Sequence, residues 1–212
     1  MKTTIKLLAV LALMLATFSQ HMTASAGGGG GDGDYKFRGR SADAFFSSTD
    51  PSGCLFTDVG IFASEGVLHS QPGPAGAATF TSLFISQYNV CTEEQLLAAD
   101  GFSLADPDFQ VDKKLNSATL NTTVNVKDAL TGNTFDVDIN LAWTATGPAT
   151  REHENSHFGS PGCKLHVRFN GTSRHAEASG SVSDGVTNFA PRPSIVANIS
   201  STRTGAVVVG CN

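Results

Sequence analysis

Residues 119–143 carry the strongest constraint on what this chain can fold into, a strict alternation of apolar and polar side chains. Leu120, Thr122, Val124 and Val126 alternate with Asn121, Thr123, Asn125 and Lys127. After the turn-rich segment 128–133 the pattern resumes as Phe135, Val137, Ile139, Leu141 and Trp143 against Asp136, Asp138, Asn140 and Ala142. A β-strand turns successive side chains to opposite faces, so a period of two describes a strand with one face buried and one wet. Asp128-Ala-Leu-Thr-Gly-Asn133 has the residues of a short hairpin turn, and the two strands are predicted to pair antiparallel. Trp143 falls on the apolar face and is predicted to be core rather than an exposed sugar platform.

Further strand candidates lie at 36–46, 54–64, 78–91, 163–169, 172–183, 186–189, 195–201 and 206–211. Turn formers separate them at 50–53, 71–76, Asn170-Gly171, Asp184-Gly185 and Pro191-Arg-Pro193. One short helix is expected at 92–99, capped by Thr92 with Gln95 completing a capping box. Nine or ten short strands with at most one short helix predict an all-β fold, an antiparallel β-sandwich with a β-barrel as the alternative. A weak echo links Phe37-Arg-Gly-Arg-Ser-Ala-Asp-Ala44 to Phe169-Asn-Gly-Thr-Ser-Arg-His-Ala-Glu-Ala178. Its few matches read as coincidence rather than duplication.

The first 26 residues have the build of a secretory signal: Lys2 and Lys6, an apolar run from Leu7 to Phe18, and Ala24-Ser25-Ala26 before Gly27. The run is too short to span a bilayer, and no later segment replaces it. The expected organisation is a signal peptide at 1–26, a flexible Gly/Asp leader at 27–34 and a single β domain at 35–212, secreted or periplasmic, with no membrane span. The signal holds two Lys and no acid, so the exported chain carries twelve Lys and Arg against 19 Asp and Glu, a formal charge of −7. No run of Lys or Arg interrupts this acidity, and nucleic acid is not expected as a partner.

Cys54, Cys91, Cys163 and Cys211 all lie in the exported part, where an even count predicts two disulfides with three possible pairings. Without closely spaced C-x-x-C pairs, a four-cysteine zinc site is disfavoured. Cys54 opens one candidate strand and Cys91 closes the next, which favours Cys54–Cys91 and leaves Cys163–Cys211.

His153-Glu154-Asn155-Ser156-His157 spells H-E-x-x-H, the zinc-protease signature. The chemistry needs a helix, which sets both imidazoles on one face with the Glu beside the metal-bound water. Gly147-Pro148 and Pro161-Gly162 leave room for about three turns at most, the window has no apolar stripe, and Asn and Ser are weak helix formers. The segment is therefore expected to be a polar loop with no catalytic residue.

The same region holds His166 and His175. If Asn170-Gly171 closes a two-residue hairpin, His166 stands opposite His175, with Cβ atoms about 5 Å apart. A Zn or Cu site built from His153, His157, His166 and His175 is one expectation. The other is a solvated histidine pair and no cofactor. Arg174 fits that register poorly, since it falls among apolar partners. Asp136, Asp138 and Asn140 open like a calcium loop, but Leu141 stands where the loop needs Gly. The function expected is a non-enzymatic binding or structural module facing an extracellular ligand or surface, with 65–77 and 147–161 as contact loops. A zinc hydrolase using His153, Glu154 and His157, or a non-catalytic metal-binding module, is the alternative.

Overall fold

The structure, a computed structural model, describes residues 33–71, 75–104, 108–160 and 163–209. It is all β and antiparallel. Among the described residues eleven strands follow in chain order: β1 (Gly33–Thr49), β2 (Leu55–Gln71), β3 (Gly76–Ala77), β4 (Phe80–Asn89), β5 (Glu94–Ser103), β6 (Asp108–Val111), β7 (Ser117–Asp128), β8 (Thr134–Ala145), β9 (Thr150–Ser160), β10 (Cys163–Ser183) and β11 (Val196–Val209). Pairing runs β1-β11-β10-β8-β7-β5-β4-β2, and β2 pairs back onto β1, so the sheet closes into a ring. β3, β6 and β9 hang on β2, β7 and β10. Among the described residues no helix is long and apolar enough to cross a membrane.

The alternation of 119–143 sets the core. β7 and β8 pair with Val124 opposite Val137 and Leu120 opposite Leu141. Leu120, Val124, Val126, Val137, Ile139, Leu141 and Trp143 are all buried. They meet Ala42, Ala44 and Phe46 of β1, Val59, Ile61 and Ala63 of β2, and Ile199 of β11 in one cluster. The Trp143 indole N–H donates to the Asp43 carbonyl at 2.9 Å, which satisfies its one polar atom inside the core. In the turn, Asp128 accepts from the Leu130 N–H at 3.1 Å and the Thr131 hydroxyl at 2.6 Å. These bonds hold its carboxyl below the usual range, the Thr131 bond first.

Several expectations change. The 92–99 segment is not helical: β5 occupies it from Glu94, pairing with β4 from Asn89 to Glu94 onward. Asn89 Oδ1, not a Thr92 cap, accepts from the N–H groups of Cys91 and Thr92, and Glu93 takes a positive φ of 56°, which closes a tight turn. Cys54 and Cys91 are joined as expected, 37 residues apart, at the ends of β2 and β4. The Cys163–Cys211 pairing lies outside the described residues, as do the signal and residues 27–32 of the leader. Gly33 and Asp34 belong to β1 rather than to the leader.

The strands are also longer than predicted. The candidates 163–169 and 172–183 fuse into the 21-residue β10, and 195–201 with 206–211 into β11. Asn170-Gly171 makes no turn because β9 and β11 pair with it from both sides. A hairpin there would forfeit both ladders. Segment 186–189 contributes only the bridge Ser183–Asn188 while Phe189 and Ala190 pack into the core. The echo proves positional: β1 and β10 flank β11, and Phe37 and Phe169 both pair with Thr204, as Gly39 and Gly171 both pair with Thr202.

Candidate functional site

Four ring strands outrun the core. β10 pairs with β8 only from Ala176 to Ser183, and from Cys163 to Ser173 its partner on that side is β9. β2 pairs with β4 only up to Ser64 and continues beside β1 to Gln71. The result is a five-stranded sheet, β9-β10-β11-β1-β2, that projects past the opposite wall of the ring. Its base is the row Ala63–Ala42–Ile199–Arg174, the last with buried apolar residues on the inward side.

At this level the ring is closed by Phe109, Val111 and Leu115, all buried. Two arginines tie that closure to the sheet. Arg40 reaches the Val111 carbonyl at 3.4 Å, and Arg174 donates to the Gly147 and Lys114 carbonyls at 3.0 and 3.4 Å and to the Asn116 side chain. Arg174 thus has a reason to face inward that the hairpin register denied it.

Directly paired residues share a face, so the registers fix what the projecting sheet presents. On the inward face the rows above the base read Glu65–Arg40–Ser201–Thr172–Arg151, then Val67–Arg38–Arg203–Asn170–His153, then His69–Lys36–Gly205–Arg168–Asn155. The next holds Asp34, Val207, His166 and His157, and the last Val209, Lys164 and Gly159. The outward face carries Tyr35, Phe37, Leu68, Leu165, Val167 and Phe169, each half-buried. There the paired glycines Gly39 and Gly66, with Gly171 in the same row, make a bed for aromatic rings. A methyl at Gly66 would come within 2.6 Å of the Phe37 ring and one at Gly171 within 2.8 Å of the Phe169 ring.

The H-E-x-x-H segment is strand β9, neither the helix a zinc protease needs nor the polar loop expected from its neighbours. Its side chains split by alternation. His153, Asn155 and His157 face inward with the arginines, and Glu154 faces outward beside Phe169. Four residue steps along the strand set His153 and His157 about 13 Å apart, too far for one ion, and the Glu154 carboxylate is on the other side of the sheet. His175 also leaves the group: nine residues beyond His166 on a continuous strand, it faces outward opposite Asn198. The strand registers thus do not bring the four histidines together, and among the described residues no three or more His, Cys, Asp or Glu are grouped to hold a metal ion.

What the structure does bring together is His157 and His166. Their rings stack at 4.0 Å between centroids and 15° between planes. His166 Nε2 bonds Asn155 Oδ1 at 2.6 Å and His153 Nδ1 bonds Asn170 Oδ1 at 2.7 Å. Parallel rings point their nitrogens side by side rather than toward one point, and one of those nitrogens is already bonded to Asn155. Local desolvation, then the neighbouring His157, then Arg168 hold the His166 pKa below its ordinary value. The pair lines a shallow open depression of about 450 Å³ with Lys164, Val207, Val209 and Phe158.

The charge on this face corrects the sequence-based exclusion of clustered cations. Lys36, Arg38, Arg40, Arg151, Lys164, Arg168, Arg174 and Arg203 all point inward on the projecting sheet or its base. They are eight of the twelve Lys and Arg beyond residue 26, against Asp34 and Glu65 of the 19 acids there. The face carries a formal +6 and the rest of residues 27–212 a formal −13. The signal in the sequence was Lys36-x-Arg38-x-Arg40 and Lys164-x-His166-x-Arg168, every second residue of a strand, which a search for contiguous basic runs misses.

No protein-family model matches the chain, and no curated protein matches it. Among solved structures it is similar to a candidate AttH from Nitrosomonas europaea, at 8% identity over 85% of this chain with a TM-score of 0.34. This chain spans about half that protein's length, 52%. It is also similar to an acetoacetate decarboxylase-like enzyme from Sphingomonas wittichii RW1, at 11% identity over 84% of this chain and 91% of the other, with a TM-score of 0.31.

Proposed function

We propose that the protein is an exported, non-catalytic binding module whose ligand lies across the inward face of the projecting sheet. The observation that carries this reading is that β1, β2, β10 and β11 continue well past the last buried row, Ala63–Ala42–Ile199, while their inward side chains are half-buried in the first row and mostly exposed beyond it. Ordering a residue's backbone costs about 1–2 kcal/mol, and side chains left in water do not offset that by burial. The aromatic rings on the outward face stabilise these strands in part, and the inward face is left as a surface for a ligand to cover. Export fits the Cys54–Cys91 disulfide and the signal-like first 26 residues. The segments expected as contact loops, 65–77 and 147–161, supply β2, β3 and β9 at the two margins of this face.

A peptidase assay separates this reading from zinc hydrolysis. The exported chain, supplied with Zn²⁺, is expected to cleave a general peptide substrate no faster than its Glu154→Gln variant. Activity that Glu154→Gln abolishes while zinc stays bound would overturn the non-catalytic reading.

A further inference from the structure

We infer that the inward face of the projecting sheet binds a linear acidic polysaccharide, a glycan chain bearing carboxylate or sulfate groups. The inference rests on the binding-module reading and specifies its ligand.

Three observations lead to an anion. First, the cations are segregated onto one face of a chain that is otherwise strongly acidic. Second, they are mostly unpaired. Lys36 meets Asp34 at 2.7 Å and Arg40 meets Glu65 at 3.7 Å, but among the described residues Arg38, Arg151, Lys164, Arg168 and Arg203 have no carboxylate within bridging distance. Third, Arg38 stands directly opposite Arg203 across the β1–β11 ladder, and like charges so placed are destabilising. A fold that keeps such a pair at the centre of an exposed face uses it for something other than stability.

The choice among polyanions follows from what lies between the charges. Asn170, Asn155, Thr172, Ser201 and His153 occupy the same rows as the guanidiniums. They supply neutral donors and acceptors for hydroxyl groups, while each guanidinium offers a planar fork to a carboxylate or sulfate. Single-stranded nucleic acid is held largely by its bases stacking on large aromatic rings. Here Tyr35, Phe37 and Phe169 all point to the opposite face, and the inward rings are the imidazoles of His153, His157 and His166, two of which stack on each other. The inward cations sit on a broad sheet face, with exposed apolar residues only at its margin, Val67, Val207 and Val209. That arrangement suits a chain lying along the rows better than a lipid surface meeting an edge.

The test uses the exported chain and three forms of it: wild type, the face variant R38S/R168S/R203S, and an off-face control K127S/R192S. Each is titrated with polygalacturonate, heparin, neutral dextran, single-stranded DNA and phosphatidylglycerol vesicles at low and high salt, with melting temperature recorded for all. Wild type and control are expected to bind at least one acidic glycan, salt-sensitively, and to ignore dextran. The face variant should melt at or slightly above wild type, since it removes the Arg38–Arg203 repulsion, yet bind about a hundredfold more weakly. Equal losses in both variants, or no wild-type binding to either acidic glycan, would overturn the inference. Face-dependent binding to neutral glycan would overturn the anionic ligand while leaving the binding face standing. Tighter binding to single-stranded DNA or to phosphatidylglycerol vesicles would replace the polysaccharide by a phosphate-bearing partner. No face-dependent binding to any probe would remove both the ligand and the module reading.

Discussion

Replacing Arg203 by threonine removes one of two guanidinium groups that face each other across the β1–β11 ladder, and the change should stabilise the protein. Directly opposed strand residues hold Cβ atoms about 5 Å apart, and long side chains can splay their charges to about 7 Å. Two like charges at that separation repel by about 0.6 kcal/mol in bulk-water dielectric. At 10 mM salt, where the screening length is about 30 Å, about 0.5 kcal/mol survives; at 1 M, where it is about 3 Å, less than 0.1 kcal/mol does. No carboxylate among the described residues bridges either arginine. Arg203→Thr is therefore expected to raise unfolding stability in urea by about 0.5 kcal/mol at 10 mM salt, a melting shift of about 1–2 °C for a chain of this size. The gain should vanish at 1 M. Arg38→Thr should behave alike, and the double variant should gain no more than about half the sum of the singles, since the repulsion can be removed only once. A gain independent of salt, or singles that add fully, would refute the claim that Arg38 and Arg203 oppose each other unneutralised.

Three further perturbations probe the scaffold. Gly180 has a φ of +138° and lies so close to the Asn140 carbonyl that a Cβ would collide with backbone, so Gly180→Ala should cost about 1–3 kcal/mol in urea unfolding; an unchanged midpoint would contradict the β8–β10 register. Replacing Cys54 and Cys91 together by alanine frees a 37-residue separation and should cost about 2–4 kcal/mol, whereas a loss below 1 kcal/mol would make the real staple the turn bonds at Asn89 and those at Asp50, whose carboxylate accepts from the Ser52 hydroxyl at 2.7 Å and the Leu55 N–H at 2.9 Å. Asp43 is held above the usual carboxylate range by burial, which outweighs the Asn198 hydrogen bond and the field of His175. The native state then binds its proton more tightly than the unfolded chain, so this group's stabilising share is present at low pH and lost as pH rises from about 4 through the folded value. Asp43→Asn should raise the melting temperature at pH 7 and leave it unchanged at pH 3, and an equal gain at both would assign the effect to packing.

The parts of the fold that alternation governs were legible, and those that depend on partners were not. Residues 119–143 announced their hairpin, their buried face and Trp143 because each side chain's environment follows from its own strand. Asn170-Gly171 misled because a turn signal is local, whereas its strand is held by ladders to β9 and β11 that no local pattern reveals. Thr92-x-x-Gln95 failed for the same reason: pairing with β4 and the Cys54–Cys91 link outweighed a capping box with no apolar stripe behind it. Arg174 was the available warning. Its misfit among Leu165, Val167 and Phe169 disappears once β10 runs straight, because 174 then lies on the opposite face from all three. The basic face escaped notice because charge was sought in runs, while strands gather it at every second residue across neighbours far apart in sequence.

Mapping the contact of an acidic oligosaccharide on the protein by backbone amide NMR tests the central claim most directly. Titration with a short oligogalacturonate should shift the amides of Lys36, Arg38, His153, Arg168, Asn170 and Arg203 together, on one binding curve, and leave the turns at 50–53 and 184–187 unmoved. Shifts confined to those turns, or no shifts at all at saturating oligosaccharide, would contradict the assignment of this face as the binding site.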